Sequence, residues 1–254
     1  IAGAYATKLL ADAGAEVVLV EPPAGHPLRG WSASGSVAAG ETGPLFSYLS
    51  AGTSSVVADG APPAALLEGA GLVVVGEASA FDVDALRAAD TTVLSITPWG
   101  TTGPWAGRPA TEFTVQAESG AIAFRGRADQ QPFAAGGRLG EWVAGAYAAV
   151  AALAAPAGGF VDVSELEVQT LAGSLFLDLM WDLIGVEPAG PARTLEAPSI
   201  EPTLDGFVGF NTNTRQQFDD FLVMIERPDL LDDPDWPSLA TRIVRHDEWN
   251  EIVH

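Results

Sequence analysis

Short apolar, β-branched runs recur along the first half of the chain with helical patterns between them, and this alternation constrains the fold more than any other feature. Three of these runs are Glu16–Glu21, Leu72–Val75 and Thr92–Thr97. Continuous runs of this kind are typical of strands buried on both faces. Strands that alternate with helices predict an α/β fold with an open, mainly parallel sheet and helices on both faces.

Helical spacing of apolar residues, together with helix start and stop signals, predicts the other elements of this half. In chain order they are the helices Ala2–Ala13 and Leu45–Ala51, the strand Ser54–Ala58, and the helices Pro63–Gly69 and Val83–Ala89. A βαβ unit begins with a strand, whereas this chain begins with a helical pattern. We therefore expect that a first strand is missing before Ile1.

After residue 110 the pattern changes to longer helices and fewer strands. The predicted elements are the helices Glu112–Ala123, Leu139–Ala155 and Ser164–Ile184, with a strand at Gly159–Val163. The helix Ser164–Ile184 is apolar on most faces, through Leu171, Phe176, Leu177, Leu179, Met180 and Trp181. Such a helix needs burial on several sides, either within one chain or in a dimer.

The segment Val186–Pro202 is Pro-rich and aperiodic, which predicts a linker. We expect a large domain over residues 1–190 and the start of a smaller α+β domain over residues 200–254, with its C-terminal part missing. The predicted elements of the smaller domain are a strand with a turn at Thr203–Asn211, a helix at Thr214–Ile225 and a final helix.

Composition excludes several classes of site and partner. The chain has no cysteine, which rules out disulfides and a thiol nucleophile, and its three histidines have no ligand spacing, so we expect no metal. With 33 acidic against 12 basic residues, the net charge of −21 disfavours nucleic acid and anionic membranes. No signal or membrane-spanning segment is evident, and we expect a cytoplasmic protein. Abundant alanine and a single lysine, Lys8, are typical of a GC-rich, bacterial genome.

Carboxylates are the remaining candidates for covalent chemistry, because the sequence has no G-x-S-x-G, Walker or G-x-G-x-x-G motif in a suitable setting. Glu112 and Glu141 lie in apolar, helical contexts. Glycines precede Glu141 and small residues follow it, so a ligand could approach the backbone there. A carboxylate at a helix start is stabilised by free N–H groups. An ordinary first-turn glutamate would have the same pattern.

The Gly/Pro-rich segment Trp99–Pro109 follows the predicted strand Thr92–Thr97 directly. Ligands in open α/β sheets bind outside the carboxyl ends of strands. The segment is therefore either a ligand-binding loop or an ordinary cluster of turns.

Four segments together resemble the family III CoA-transferases (CaiB/BaiF), a group that includes formyl-CoA transferase, carnitine CoA-transferase and α-methylacyl-CoA racemase. They are Ala2–Pro23 with its continuation to Trp31, Ser95–Pro109, Glu112–Gly120, and Arg138–Ala146 with Val161–Glu167. The tail over residues 205–221, followed by Arg227–Leu230, is similar to the small domain of the family.

The resemblance implies a Rossmann-like large domain, a smaller domain and an interlocked homodimer. It also implies transfer of CoA between an acyl-CoA and a small carboxylic acid, with CoA as substrate and no tightly bound cofactor. The family's nucleophilic aspartate falls on Glu141, which would form a glutamyl anhydride and then a glutamyl-CoA thioester. Glu112 would be a supporting carboxylate.

Departures from the family leave a second hypothesis open. Thr111 stands where the racemases have a histidine, which argues against racemisation. Leu19, Ser50–Ser55 and Gly76–Phe81 replace segments with which the family holds CoA. The residues that remain as candidates for CoA binding are Arg29, Trp99, Gly100, Arg108 and Arg138. The alternative is a degenerate homologue that keeps the fold and serves as a scaffold or binding subunit.

Overall fold

The computed structural model describes residues 1–38, 40–76, 83–88, 90–123, 125, 130–175, 179, 182–183, 185, 199–212 and 214–254. The chain forms two compact units. The first comprises residues 1–119 and 135–172, and the second comprises residues 120–134 and 173–254. The predicted linker lies almost entirely outside the described residues, so the predicted domain boundary stays a prediction.

The first unit alternates helices and strands as the apolar runs predict. In chain order its elements are α1 (Ala2–Asp12), β1 (Val18–Glu21), α2 (Pro44–Leu49), β2 (Ser54–Val57), α3 (Ala64–Glu68), β3 (Leu72–Val75), α4 (Val83–Ala88), β4 (Thr92–Thr97), α5 (Glu112–Glu118), α6 (Leu139–Ala154), β5 (Phe160–Ser164) and α7 (Glu165–Gln169). A short 3₁₀ turn, Pro27–Gly30, follows β1. The α/β fold class is confirmed.

The strands pair in parallel, as β-branched runs joined by helical connections require. Strand β1 pairs with β2, and a separate three-stranded sheet has the order β3-β4-β5. Among the described residues the strands thus form two parallel sheets, whereas the alternation pattern alone predicts one. Periodicity identifies strands but carries no information on which neighbours pair.

Helices cover both faces of the three-stranded sheet. Successive strand residues point to opposite faces, so Leu94 and Val93 enter different clusters. Leu94 packs with Ala6 of α1 and Ala148 of α6. Val93 packs on the other face, where Leu67 of α3 and Val83 of α4 contact its cluster. This arrangement buries β4 from Thr92 to Ile96 and fixes the positions of α1 and α6.

Helices α1 and α6 pack closely because glycine and alanine form the contact. A β-carbon added at Gly145 would lie 2.6 Å from the carbonyl oxygen of Ala2 and 3.0 Å from Cβ of Tyr5. Ala144 and Ala148, on the same helix, are fully buried. The small residues after Glu141 therefore serve helix packing.

The second unit contains a hairpin and a small helical core. Its elements are β6 (Ile200–Pro202), β7 (Phe207–Gly209), α8 (Arg215–Met224), a 3₁₀ turn (Pro228–Leu230), α9 (Leu239–Val244) and α10 (His246–Val253). Strands β6 and β7 are antiparallel, and the turn closes between Thr203 and Gly206 as predicted. Phe218, Phe221 and Leu222 of α8 pack against Trp236 and Trp249.

Three predicted helices differ from the structure by more than a residue or two at an end. The helix predicted over Glu112–Ala123 ends at Glu118, where Ser119 and Gly120 stop it. The long helix predicted from Ser164 is α-helical only to Gln169 and continues as a π-helix over Thr170–Leu175. Most of its predicted remainder, including Phe176, Leu177, Met180 and Trp181, lies outside the described residues. The final predicted helix is two helices, broken at Arg245.

We predict that Gly145→Ala destabilises the protein although alanine is the better helix former. The added methyl group would overlap Ala2 and force α1 away from α6, a kind of overpacking that costs about 1–3 kcal/mol. Chemical denaturation measures the loss of unfolding free energy. Glu68→Ala, an exposed change at the end of α3, is the control and should shift stability by at most about 0.5 kcal/mol. Unchanged or higher stability of Gly145→Ala would contradict the close contact.

Candidate active site

Glu141 is a buried carboxylate in the first turn of α6. Its side chain is nearly inaccessible, and the residue is only 6 % exposed. The guanidinium of Arg138 donates to its Oε1, with Nε at 2.7 Å, and the main-chain nitrogen of Ile1 lies 2.8 Å from Oε2. Burial alone would raise the pKa of Glu141, but the hydrogen bonds from Arg138 and the Ile1 nitrogen lower it below its ordinary value. Glu141 is therefore a desolvated, ionised carboxylate.

The backbone at Arg138 makes the pairing with Glu141 possible. Arg138 precedes α6 in a left-handed conformation, with φ of 58° and ψ of 43°. A non-glycine residue reaches this region at some cost in free energy, so its surroundings must hold it there. The turn folds the side chain of Arg138 back over the first turn of α6, where it meets Glu141.

Glu112 connects α5 to the start of α6. Its Oε1 accepts a hydrogen bond of 2.7 Å from the N–H of Gly140 and one of 2.8 Å from Nε2 of Gln116. Gln116 is itself fixed by both backbone groups of Ala135. The structure thus brings the two predicted site carboxylates, Glu112 and Glu141, to the same helix terminus through adjacent residues.

Glu165, which sequence reasoning missed as a site residue, is a third carboxyl group in this cluster. It begins α7 directly after β5 and is partly buried. Burial, followed by the charges of Glu141 and Glu112, raises the pKa of Glu165 to about 7. The available signal was its position after a buried strand, at the sheet edge where parallel strands present their carboxyl ends.

Gln169 is the second residue that the sequence did not single out. It lies one helical turn after Glu165 and is 4 % exposed. A β-carbon at Gly140 would overlap its carboxamide, so glycine lets the Gln169 carboxamide lie against the first turn of α6. Among the described residues, neither polar atom of that carboxamide has a hydrogen-bond partner, and Oε2 of Glu112 is also buried and unpaired. Unpaired buried polar groups are costly, which marks this junction as a functional candidate.

Arg29, a predicted CoA contact, is bound to Glu21. Its Nε and Nη2 donate to the two carboxylate oxygens at 2.6 and 2.7 Å. Ser55 and the N–H of His26 also donate to this carboxylate, which is only 2 % exposed. These hydrogen bonds, that of Arg29 first, lower the pKa of Glu21 to about 2. The pair joins the end of β1 to the following turn and to β2.

The loop after β4 is closed by its own side chains. The indole N–H of Trp99 donates to the carbonyl of Arg108 at 2.9 Å, and Trp105 packs edge-on against Trp99. Arg108 lies over both rings and 3.8 Å from Glu118. Gly100 has φ of +83°, which a turn of this kind requires. The loop thus presents Arg108 at a half-exposed position on a rigid base.

Two further features concern only the part of the chain that the structure describes. No three side chains of His, Asp or Glu there are placed to hold a metal ion. No helix there combines the length and apolar character needed to cross a membrane.

We predict that Arg29→Met lowers the unfolding free energy at neutral pH, because the buried Glu21 carboxylate loses its cation and keeps only Ser55 and the N–H of His26 as donors. In the wild type, the folded pKa of about 2 lies below the ordinary value of 4.5, so this stabilisation is present above pH 4.5 and is lost as the pH falls toward 2. The difference between variant and wild type should therefore shrink in acid. Urea denaturation at several pH values measures it.

The control for this prediction is Arg227→Met, which breaks an exposed pair with Asp229. Its effect should be much smaller than that of Arg29→Met at neutral pH, because water screens an exposed pair. Equal effects of the two substitutions would show that the Arg29–Glu21 pair is not a buried anchor.

Comparison with known proteins gives relatives with named activities. The chain is 28% identical to a subunit of succinyl-CoA:(R)-benzylsuccinate CoA-transferase from Thauera aromatica, with 94% of this chain and 66% of that protein covered. It is also 28% identical to succinate–glutarate CoA-transferase from Agrobacterium fabrum, with 100% and 70% covered. The chain thus spans about two thirds of the length of these relatives.

A solved structure has the same fold. A CaiB/BaiF family protein from Brucella suis superposes with a TM-score of 0.73 at 20% identity, over 100% of this chain and 73% of that one. The model of CoA-transferase family III matches residues 1–66 and 77–254. The resemblance of the four sequence segments is thereby confirmed, and the chain belongs to CoA-transferase family III.

Proposed function

We propose that this protein is an acyl-CoA:carboxylate CoA-transferase and that Glu141 is its nucleophile. The observation that carries the proposal is a buried carboxylate hydrogen-bonded to Arg138 in the first turn of α6. The sequence resemblance supports the role, because it aligns Glu141 with the family's nucleophilic aspartate. Carboxylates are sound nucleophiles for acyl transfer because they divide one difficult step into easier ones. A desolvated carboxylate also loses less hydration when it attacks.

The reaction begins when an oxygen of Glu141 attacks the thioester carbonyl carbon. The C–O bond forms, the C–S bond breaks, and the products are a mixed anhydride and CoA. The sulfur of CoA then attacks the side-chain carbonyl of Glu141, which releases the first acid and leaves a glutamyl-CoA thioester. The acceptor carboxylate attacks this thioester, which breaks the C–S bond, releases CoA and forms a second anhydride. CoA completes the transfer by attacking the acceptor's carbonyl carbon, which breaks the anhydride C–O bond and regenerates the Glu141 carboxylate.

Arg138 and Glu112 have supporting roles in this scheme. Arg138 is bonded to Oε1 of Glu141, so it holds the carboxylate ionised and fixes its orientation. Glu112 acts through Gly140. It accepts a hydrogen bond from the N–H of Gly140 and so sets the position of the first turn of α6. Misplacement of a reacting group by about 1 Å can cost on the order of 100-fold in rate.

The substrates we propose are CoA esters of small carboxylic acids, with a second such acid as acceptor. The named activities of the two relatives involve succinyl-CoA, benzylsuccinate, succinate and glutarate. Trp99, Gly100, Arg108 and Arg138 are the proposed contacts of CoA, since Arg108 and Arg138 are both about half exposed. Arg29 is bound to Glu21, which supports a structural role for it instead.

One observation favours the alternative of a degenerate homologue. Arg29, Arg108 and Arg138 each have a carboxylate partner, namely Glu21, Glu118 and Glu141. With a net charge of −21, the chain has few cations left to bind the phosphates of CoA. A scaffold or binding subunit of the same fold would have this property.

We expect Glu141→Gln to abolish covalent capture of the acyl group and CoA transfer while the fold stays intact. Glu141→Asp moves the carboxylate by one carbon–carbon bond, about 1.5 Å, and should slow transfer on the order of 100-fold. The measurement is intact-protein mass after incubation with succinyl-CoA and trapping by hydroxylamine or borohydride. Glu167→Gln, an exposed neighbour on α7, is the control and should react like the wild type.

An adduct mapped to Glu141 would support the transferase. Full transfer by Glu141→Gln would contradict the role of Glu141. Failure of the wild type to form an adduct or to bind CoA in calorimetry would favour the scaffold.

We also propose a homodimer, supported by a strip of exposed apolar residues on α6. Tyr147, Val150 and Leu153 are spaced three residues apart, which places them on one side of the helix. Light scattering should give about twice the mass of one chain. Val150→Glu combined with Leu153→Glu should shift the protein toward monomer, whereas Val244→Glu, at an equally exposed position, should not. A monomeric wild type would contradict the dimer.

A further inference from the structure

Helices α5, α6 and α7 meet at one point, and Glu165 lies there. The N–H of Gly140 on α6 is bonded to Glu112 of α5, and the carboxamide of Gln169 on α7 contacts Gly140 from the other side. Glu165 lies four residues before Gln169, so the two side chains lie on the same face of α7. Glu165 therefore faces the junction that holds Glu141 and remains partly accessible.

The charged groups around Glu165 cannot all be ionised at low cost. The charged side chains that act on it are Glu112 from α5, Glu141 from α6 and Arg138 before α6. Arg138 is hydrogen-bonded to Glu141, and the main-chain nitrogen of Ile1 contacts the same carboxylate. Gly140 and Gln116 donate hydrogen bonds to Glu112. Glu165 is thus the carboxyl group whose proton is retained, and the proton leaves near neutral pH.

Buried polar atoms without hydrogen-bond partners are an independent indication that a ligand binds at this side of the junction. The carboxamide of Gln169 is buried and unpaired among the described residues, as is Oε2 of Glu112. None of these three atoms has a hydrogen-bond partner on α5, α6 or α7. A bound substrate group next to Glu141 would lie beside this unpaired carboxamide.

We propose that Glu165 is the acid–base residue of the transferase, a role that rests on the proposed function. Its carboxyl group is protonated when acyl-CoA binds, and it passes that proton to sulfur when Glu141 displaces CoA. In this step the C–O bond to Glu141 forms, the C–S bond breaks, and the electron pair on sulfur takes the proton of Glu165. When CoA attacks the anhydride, the thiol returns the proton to Glu165 and the first acid leaves as its anion.

The physical reason is the charge of the leaving group. A thiolate released next to the carboxylates of Glu112 and Glu141 would add a further negative charge to a partly dehydrated site. Alkyl thiols have a pKa of about 8.5, so a carboxyl group that titrates near neutral pH can protonate the thiolate favourably. An acid with a pKa near the working pH is also the most effective one.

The test compares Glu165→Gln with the wild type, using the full chain and single-turnover formation of the Glu141 adduct from succinyl-CoA. The wild-type rate should fall about tenfold per pH unit once Glu165 is ionised. Glu165→Gln cannot donate a proton, so its rate should be about 10²–10⁴-fold lower and independent of pH near neutrality. Glu165→Asp, which keeps a carboxyl group, should regain a pH-dependent rate.

A thioester with a more acidic thiol separates this role from a structural one. A succinyl thioester of an aromatic thiol leaves readily without a proton, so Glu165→Gln should react with it within a few-fold of the wild type. Glu167→Gln is the control for loss of a charge on α7 and should keep the wild-type pH profile. Thermal melts of each variant establish that it is folded.

The outcomes distinguish the two proposals. An unchanged pH profile in Glu165→Gln, or an equal loss with both thioesters, would overturn the role of Glu165 while leaving Glu141 as nucleophile. Absence of any adduct in the wild type would overturn the transferase itself, and the role of Glu165 with it.

Discussion

The hydrogen bond from the N–H of Gly140 to Glu112 is the contact on which the candidate site depends. It fixes the first turn of α6 to α5, and Gly140 leaves room for Gln169 of α7 on its other side. Close packing of α6 against α1 at Gly145 fixes the far side of the same helix. Because these constraints act within one or two turns of Glu141, its carboxylate has a defined position before any substrate arrives.

Of the three carboxyl groups at this site, Glu165 is the one that retains its proton near neutral pH. The hydrogen bond from Arg138 lowers the pKa of Glu141, while burial and the charges of Glu141 and Glu112 raise the pKa of Glu165 to about 7. Groups of the same chemical type with separated pKa values are how enzymes assign nucleophile and acid within one site. The same arrangement explains how a strongly acidic chain can hold a buried carboxylate: Glu141 and Glu112 each have a hydrogen-bond donor.

Arginines of this protein that could bind a ligand are held in structural contacts. Arg29 neutralises the buried Glu21 between β1 and β2, and Arg108 packs on Trp99 and Trp105. The chain has only 12 basic residues, so few remain to bind the phosphates of CoA. Binding of CoA by this protein would therefore rely on a few half-exposed guanidinium groups and on the backbone of the loop after β4.

The sequence by itself determined the fold class, most element bounds and the positions of Glu112 and Glu141, because apolar periodicity and local motifs are properties of neighbouring residues. Strands β3 and β4 begin and end at the predicted residues. Only the tertiary structure decided which carboxyl groups lie close together, that Arg29 pairs with Glu21, and that Glu165 and Gln169 lie next to the first turn of α6. These facts depend on contacts between residues far apart in the chain, and burial sets their ionisation, so no local pattern encodes them.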